Sequence, residues 1–244
     1  MPGPDDSMLV ISAHAADFVW RAGGAVAAYA AAGARVTVAC LSFGERGESA
    51  RLWRQGKSLE EIKEIRRREA QEAAAVLGAE LREFDAGDYP LTPTPELTGG
   101  LVDLYREVQP DVVLTHTGSD PYNCDHPVAF ELAMKARILA QAVGVRPGAA
   151  VIGAPPVFCF EPHQTEMSGF KPDLLLDITP VWERKLEAMH KMVGQEHLWE
   201  YYTGVAAHRG TQLERNSSAN LGHATSARGE AYQRVFPTVT TSFS

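Results

Sequence analysis

Short apolar runs alternate along the chain with longer stretches of helical period. Met8 to Ala13 (MLVISA) predicts a buried strand, and the alanine-rich stretch Trp20 to Ala32, closed by Gly33, predicts a helix. Arg35 to Ser42 (RVTVACLS) alternates and is rich in β-branched residues, so it predicts a second strand. Leu59 to Leu77 reads as a long amphipathic helix ended by Gly78; Glu80 to Phe84 reads as a strand running into the turn Ala86-Gly87-Asp88-Tyr89-Pro90. A helix over Leu97 to Val108 follows, then a buried strand from Asp111 to His116, a helix over Pro127 to Gly144 and a strand at Pro156 to Glu161. Asp173 to Ile178 predicts a short strand and Val181 to Met192 a helix. Beyond Met192 the pattern assigns no element, and Thr211 to Gly229 is the most loop-like stretch.

Strands alternating with helices imply an α/β fold with a mainly parallel sheet, covered on both faces. One domain over residues 1–244 fits the length, and neither an internal repeat nor a linker divides it. Ligands in such sheets gather beyond the carboxyl ends of the strands. His14, Asp17, Glu45, Glu48, Asp88, His116, His126 and His163 all fall there.

Composition narrows the partners. A formal net charge of -8 argues against nucleic acid and anionic membrane surfaces, both of which need a surplus of Lys and Arg. The three cysteines, Cys40, Cys124 and Cys159, are scattered and suggest no disulfide framework. No apolar run approaches the roughly 18 residues that span a bilayer, and no secretory pattern precedes the first strand. The expectation is a soluble, cytoplasmic protein acting on a small molecule.

Chemistry-bearing metal sites commonly use three His or carboxylate ligands and keep one position open. His14 and Asp17, three apart just after a strand, can turn toward one point, and the best third candidate is His126 in Pro121-Tyr122-Asn123-Cys124-Asp125-His126. Taken alone, an isolated loop histidine is more often a surface or capping residue.

The stretch ISAHAADF followed by WRAGG resembles the opening of the PIG-L (LmbE-like) zinc-dependent family, whose hallmark is a strand leading into A-H-P-D-D and a distant D-H. Arg66-x-x-Glu69-Ala70 leading to Leu77-Gly78, and VVLTH before Asp125-His126, support the resemblance. It implies a Rossmann-like three-layer α/β/α fold and a Zn2+ ion held by His14, Asp17 and His126. The sequence departs from the pattern at three places. Ala16 replaces the aspartate that serves the family's deacetylases as general base, Ala15 replaces the proline, and Pro121 and Asn123 reduce the distal motif.

The segments SAHxADFVWRAGG, CLSFGERGESARLWR, GDYP, DPYNxDHP, GAPPVxxFEPHQ and GQEHLWEYY, between Ser12 and Tyr202, are similar to a hydratase branch of the family. That similarity implies addition of water to a conjugated double bond of a small anionic tricarboxylate, with no amide to cleave. An N-deacetylase of an amino sugar, with Glu48 as substitute base, is the alternative. Glu48, in a glycine-flexed loop, and His163, after an apolar strand, are the candidate acid and base in either order. Arg46, Arg51 and Arg54 are candidate carboxylate binders, and Tyr122 and Asn123 candidate hydrogen-bond partners for substrate. Asp125 and His116 are candidates to orient a ligand, while Cys124 occupies a position the family leaves variable. Arg66, in a run of three arginines, reads as part of an exposed helix face. Trp199, Tyr201 and Tyr202 read as core or subunit-contact aromatics, which leaves a homo-oligomer open.

Overall fold

The protein is described by a computed structural model covering residues 2–219 and 226–241. Seven strands form one sheet: β1 (Ser7–Ser12), β2 (Arg35–Cys40), β3 (Glu80–Glu83), β4 (Val112–Thr115), β5 (Val157–Phe160), β6 (Leu174–Asp177) and β7 (Gly229–Arg234). Their order is β3-β2-β1-β4-β5-β7-β6. The first five are mutually parallel, and β7 runs antiparallel to both β5 and β6. The expected mainly parallel sheet is therefore observed.

The residues of β1 alternate between two cores. Met8 and Val10 face a layer built from α1 (Asp17–Ala31), α3 (Leu59–Leu77) and α7 (Trp182–Lys191), whereas Leu9 and Ile11 face α4 (Pro95–Val108) and α5 (Asp125–Gln141). This two-sided burial explains why β1 reads as a continuous apolar run. Capping fixes several helix ends where the sequence places them. Ser58 and Glu61 form a capping box at the start of α3, and Gly78 closes it in the left-handed region at φ 83°. Among the described residues, no helix is long and apolar enough to cross a membrane.

Three features depart from expectation. Thr211 to Ser217 is not loop but the last part of α8 (Trp199–Ser217); residues 220–225 of the stretch read as loop lie outside the described residues. Polar residues dominate this helix, yet Tyr202, Ala206, Arg209 and Gly210 form a narrow buried stripe. At Gly210 a Cβ would stand 1.9 Å from the Ala227 carbonyl oxygen, so the glycine marks close packing rather than a break. A short helix, α2 (Ala50–Arg54), also forms after the Glu48 loop. Arg66, finally, is 0% exposed: its guanidinium bonds Glu69, the Gln195 side chain and the Phe43 carbonyl. Three successive arginines look like a solvated face, but one of them points inward to a set of acceptors that local sequence does not reveal.

The chain leaves β1 toward β2 and β3, then returns to β4 on the other side of β1. This switch opens a crevice beyond the carboxyl ends of the central strands.

Candidate metal centre and active site

Each central strand delivers one wall of that crevice. The end of β1 carries His14, and α1 begins at Asp17, whose carboxylate accepts the His14 backbone N–H at 2.9 Å. The loop after β2 carries Glu48, turning at Gly44 with φ +68°, where a Cβ would crowd both Glu48 and His14 at 3.2–3.3 Å. Asp88, in the predicted Ala86–Pro90 turn, clamps that loop by accepting the backbone N–H groups of Arg46 and Gly47. The loop after β4 leads to His126 on the first turn of α5.

His14, Asp17, Glu48 and His126 converge, with one ligand atom from each lying within 4.8 Å of the others. His14 Nε2 donates to Asp125 at 3.1 Å, and His126 Nδ1 donates to Asp120 at 2.8 Å. Each imidazole is thereby held in one tautomer with its other nitrogen aimed inward. Those inward atoms, His14 Nδ1 and His126 Nε2, are buried and have no hydrogen-bond partner among the described residues. His14 Nδ1 lies 3.2 Å from both Asp17 and Glu48, and His126 Nε2 lies 3.4 Å from Asp17. Two orphaned imidazole nitrogens facing two carboxylates are a donor set that fits a divalent cation of the zinc type.

Electrostatics agree with that fit. Burial alone would keep His14 neutral, but Glu48, Asp125 and Asp17 outweigh it and hold its affinity for a proton well above the ordinary histidine value. Burial would likewise raise the Asp17 and Glu48 carboxyls. The neighbouring His126 and His116 pull Asp17 well below its usual range, and His14 with His126 pulls Glu48 down. Surroundings that favour a proton on His14 also favour a cation in its place.

His116 is part of this centre but not of the donor set. Its Nε2 accepts the Ala13 backbone N–H at 2.9 Å, and its ring stacks on His126 at 4.1 Å. Burial, then His126, depresses its pKa well below the usual value, so it stays neutral and supports the His126 ring. Asp125 also accepts the backbone N–H groups of Tyr89 and Leu91, tying the turn after β3 to His14. Asp120, the partner of His126, opens the DPYNxDHP segment, although nothing in that segment assigns it to the ring. Only the loop geometry brings it to the ring.

A cavity of about 610 Å³ opens over the cluster. Glu48, Asn123 and His163 line it together with Arg51, Arg54 and Tyr122. The Asn123 amide reaches Glu48 at 3.4 Å. His163 is packed against Tyr201, ring to ring at 4.3 Å, and the Tyr201 hydroxyl donates to the His163 carbonyl. Burial and the nearby Arg21 lower the His163 pKa, which keeps the ring neutral near pH 7. Tyr122, 54% exposed, stands at the rim. Arg51 ion-pairs with Glu196 at 2.5 Å across the cavity edge. Arg46 turns the other way: its guanidinium bonds Glu45 and the Asp88 carbonyl and lines a separate shallow cleft with Lys63 and Asp85. Cys124 is exposed and its thiol meets Asp125, outside the donor set. Trp20 stacks on Tyr202 at 5.2 Å, placing Tyr202 in the core as well as at the cavity wall.

Residues 9–137 match the PIG-L family, described as GlcNAc-PI de-N-acetylase. Over 98% of its length the chain is 54% identical to a 4-oxalmesaconate hydratase from Pseudomonas putida, of which it covers 93%. The chain belongs to the PIG-L family. Among PIG-L structures, the crystal structure of the 4-carboxy-2-hydroxymuconate hydratase of Pseudomonas putida superposes with a TM-score of 0.94 at 52% identity, covering 98% of this chain and all of that one. The N,N′-diacetylchitobiose deacetylase of Pyrococcus horikoshii shares the fold, with a TM-score of 0.75 at 24% identity over 93% of this chain and 82% of that one. This PIG-L chain is therefore closer in sequence to a family hydratase than to that deacetylase.

Proposed function

We propose that this PIG-L protein is a zinc-dependent hydro-lyase that adds water to 4-oxalomesaconate (4-carboxy-2-hydroxymuconate), giving 4-carboxy-4-hydroxy-2-oxoadipate. On this reading it acts in the cytoplasm as one LmbE-like catalytic domain, within bacterial degradation of gallate and protocatechuate. Relatedness to the Pseudomonas putida hydratase over nearly the whole chain supports the reaction class. The observation that carries it is Ala16, a methyl group packed fully inside the core where the family's deacetylases need a carboxylate base. The cation-binding groups are kept while the amide-cleaving base is absent, a combination suited to a reaction that breaks no amide.

His14, Asp17 and His126 would hold zinc, which supplies Lewis acidity toward the oxygens of the substrate's enol or keto acid. Glu48 is the base. Held as a carboxylate between His14 and Asn123, it can take a proton from the attacking water. His163 is neutral and stands in the cavity wall, where its two ring nitrogens can receive a proton and pass one on to the carbon that needs it. The proton removed from water is thus returned to carbon, and none is lost or gained overall. Asp120 and Asp125 keep the two imidazoles aligned, while Arg51, Tyr122 and Asn123 offer polar contacts to an anionic substrate at the rim. Arg46 lies outside the cavity and contributes through its backbone N–H, which helps to fix the Glu48 loop.

The test is spectroscopic. The zinc-loaded protein is expected to bleach the ultraviolet absorbance of 4-carboxy-2-hydroxymuconate as the conjugation is lost. Release of acetate from N-acetylglucosaminyl compounds without bleaching would establish the deacetylase instead.

A further inference from the structure

A tricarboxylate needs cations in its site, and the sequence directs attention to the arginines of the GERGESARLWR segment. Arg46 and Arg51 pair with protein carboxylates, and Arg54 lines the cavity only as an exposed side chain. Arg46 faces a different cleft, and Arg51, with a side chain 40% exposed, already pairs with Glu196. The buried cation in the cavity wall is Arg21 of α1, only 7% exposed, one turn beyond Asp17.

Arg21 Nη1 donates to the Glu161 carbonyl at 2.9 Å, which anchors the guanidinium to the end of β5. Its Nε is buried without a hydrogen-bond partner among the described residues; Asp17 Oδ1 stands 3.4 Å away, outside hydrogen-bond geometry. Nε is closed off on the Asp17 side, whereas Nη2 makes no hydrogen bond to a described residue and the side chain lines the cavity, so the outer edge of the guanidinium is where a ligand acceptor fits. The carboxylates whose charge acts on Arg21 are Asp17, Asp120 and Glu48; Asp120 is bonded to His126, and Asp17 and Glu48 belong to the cation-binding cluster. A divalent ion there would claim their negative charge and leave Arg21 free to meet an anion.

We propose that Arg21 docks a carboxylate of the substrate directly beside the metal centre, using the Nη2 N–H groups, which no described residue accepts. A planar guanidinium anchored at one end is preorganised for such a contact. This assignment rests on the hydratase reading for the identity of the ligand and goes beyond it in naming the residue that grips it.

The competing role is structural: Arg21 could simply steady Asp17. Calorimetric titration of 4-carboxy-2-hydroxymuconate into zinc-loaded Glu48→Ala protein, with and without Arg21→Gln, separates the two when zinc affinity is measured in parallel by chelator competition. Loss of one charge-assisted pair is expected to weaken substrate binding by at least about tenfold. Zinc affinity should change less than about threefold, and Arg21→Lys, which keeps charge but loses the planar fork, should fall between. Unchanged substrate affinity, no measurable binding to the protein that retains Arg21, or a loss of binding that merely follows loss of zinc would overturn the proposal. Should Arg21→Gln fail to fold, the Lys variant decides by the same pair of measurements. Bleaching by the wild-type protein tests the hydratase reading separately, so either idea can fail alone.

Discussion

His14 Nδ1 and His126 Nε2 show how few atoms define the chemistry. A buried polar atom without a partner costs about 1–3 kcal/mol, and two of them facing Asp17 amount to a standing preference for a cation. His14→Ala or Asp17→Ala should therefore lose most bound zinc in elemental analysis, together with activity. Glu48 touches the same cluster but is assigned to proton transfer. Glu48→Ala should keep the metal and lose turnover by roughly 10²–10⁴-fold. Normal turnover would remove Glu48 from the mechanism, and loss of metal would make it a ligand. The i, i+3 spacing of His14 and Asp17 after a strand made this part of the site readable from sequence. Asp120 stands at the head of the DPYNxDHP segment, but its partner was not readable, because the turn that brings it back to His126 follows no regular period. Arg21 lies within the WRAGG segment, but its role was hidden because a helical pattern does not say which way a polar position faces, and only the fold turns it into the cavity.

At the scale of elements, the position of α1 matters most, since it carries Asp17, Trp20 and Arg21 into one wall. Gly24 sets how closely that helix approaches the segment that follows β6: a Cβ there would lie 2.4 Å from Ile178 Cγ2 and 2.8 Å from its Cβ. Ile178 is fully buried and stiff at χ1, so it cannot swing aside. Gly24→Ala is expected to destabilise, because overpacking of about 1–3 kcal/mol exceeds the roughly 1 kcal/mol gained in helix propensity. Gly204→Ala in α8, where nothing lies within 4 Å of the new methyl, should instead raise stability by about 0.5–1 kcal/mol. Thermal or denaturant unfolding of the two variants checks the contrast, and equal effects would refute it. The helices with strong period and caps, such as α3, were legible in the sequence. α8 was not, since its buried stripe is narrow and contains Gly210, whose reason lies in the close approach of the backbone at Ala227.

At the scale of the molecule, the sheet order alone explains why residues far apart in sequence meet. The chain turns outward from β1 and comes back beside it at β4, so the loops after β1, β2, β4 and β5 open onto one crevice. Alternation of strands and helices made the layered architecture legible, and the carboxyl-end rule places the site without reference to any contact. What pattern could not convey was the reversed strand β7 between β5 and β6, because direction is decided by tertiary pairing and not by the residues of the strand. The central claim is that a cation held by His14, Asp17 and His126 enables addition of water without amide cleavage. Mass spectrometry of the product formed from 4-carboxy-2-hydroxymuconate in ¹⁸O-labelled water tests it most directly. The account predicts a product heavier by one labelled water with the zinc-loaded protein and unchanged substrate after chelation, whereas undiminished conversion by metal-stripped protein, or no uptake of label, would contradict it.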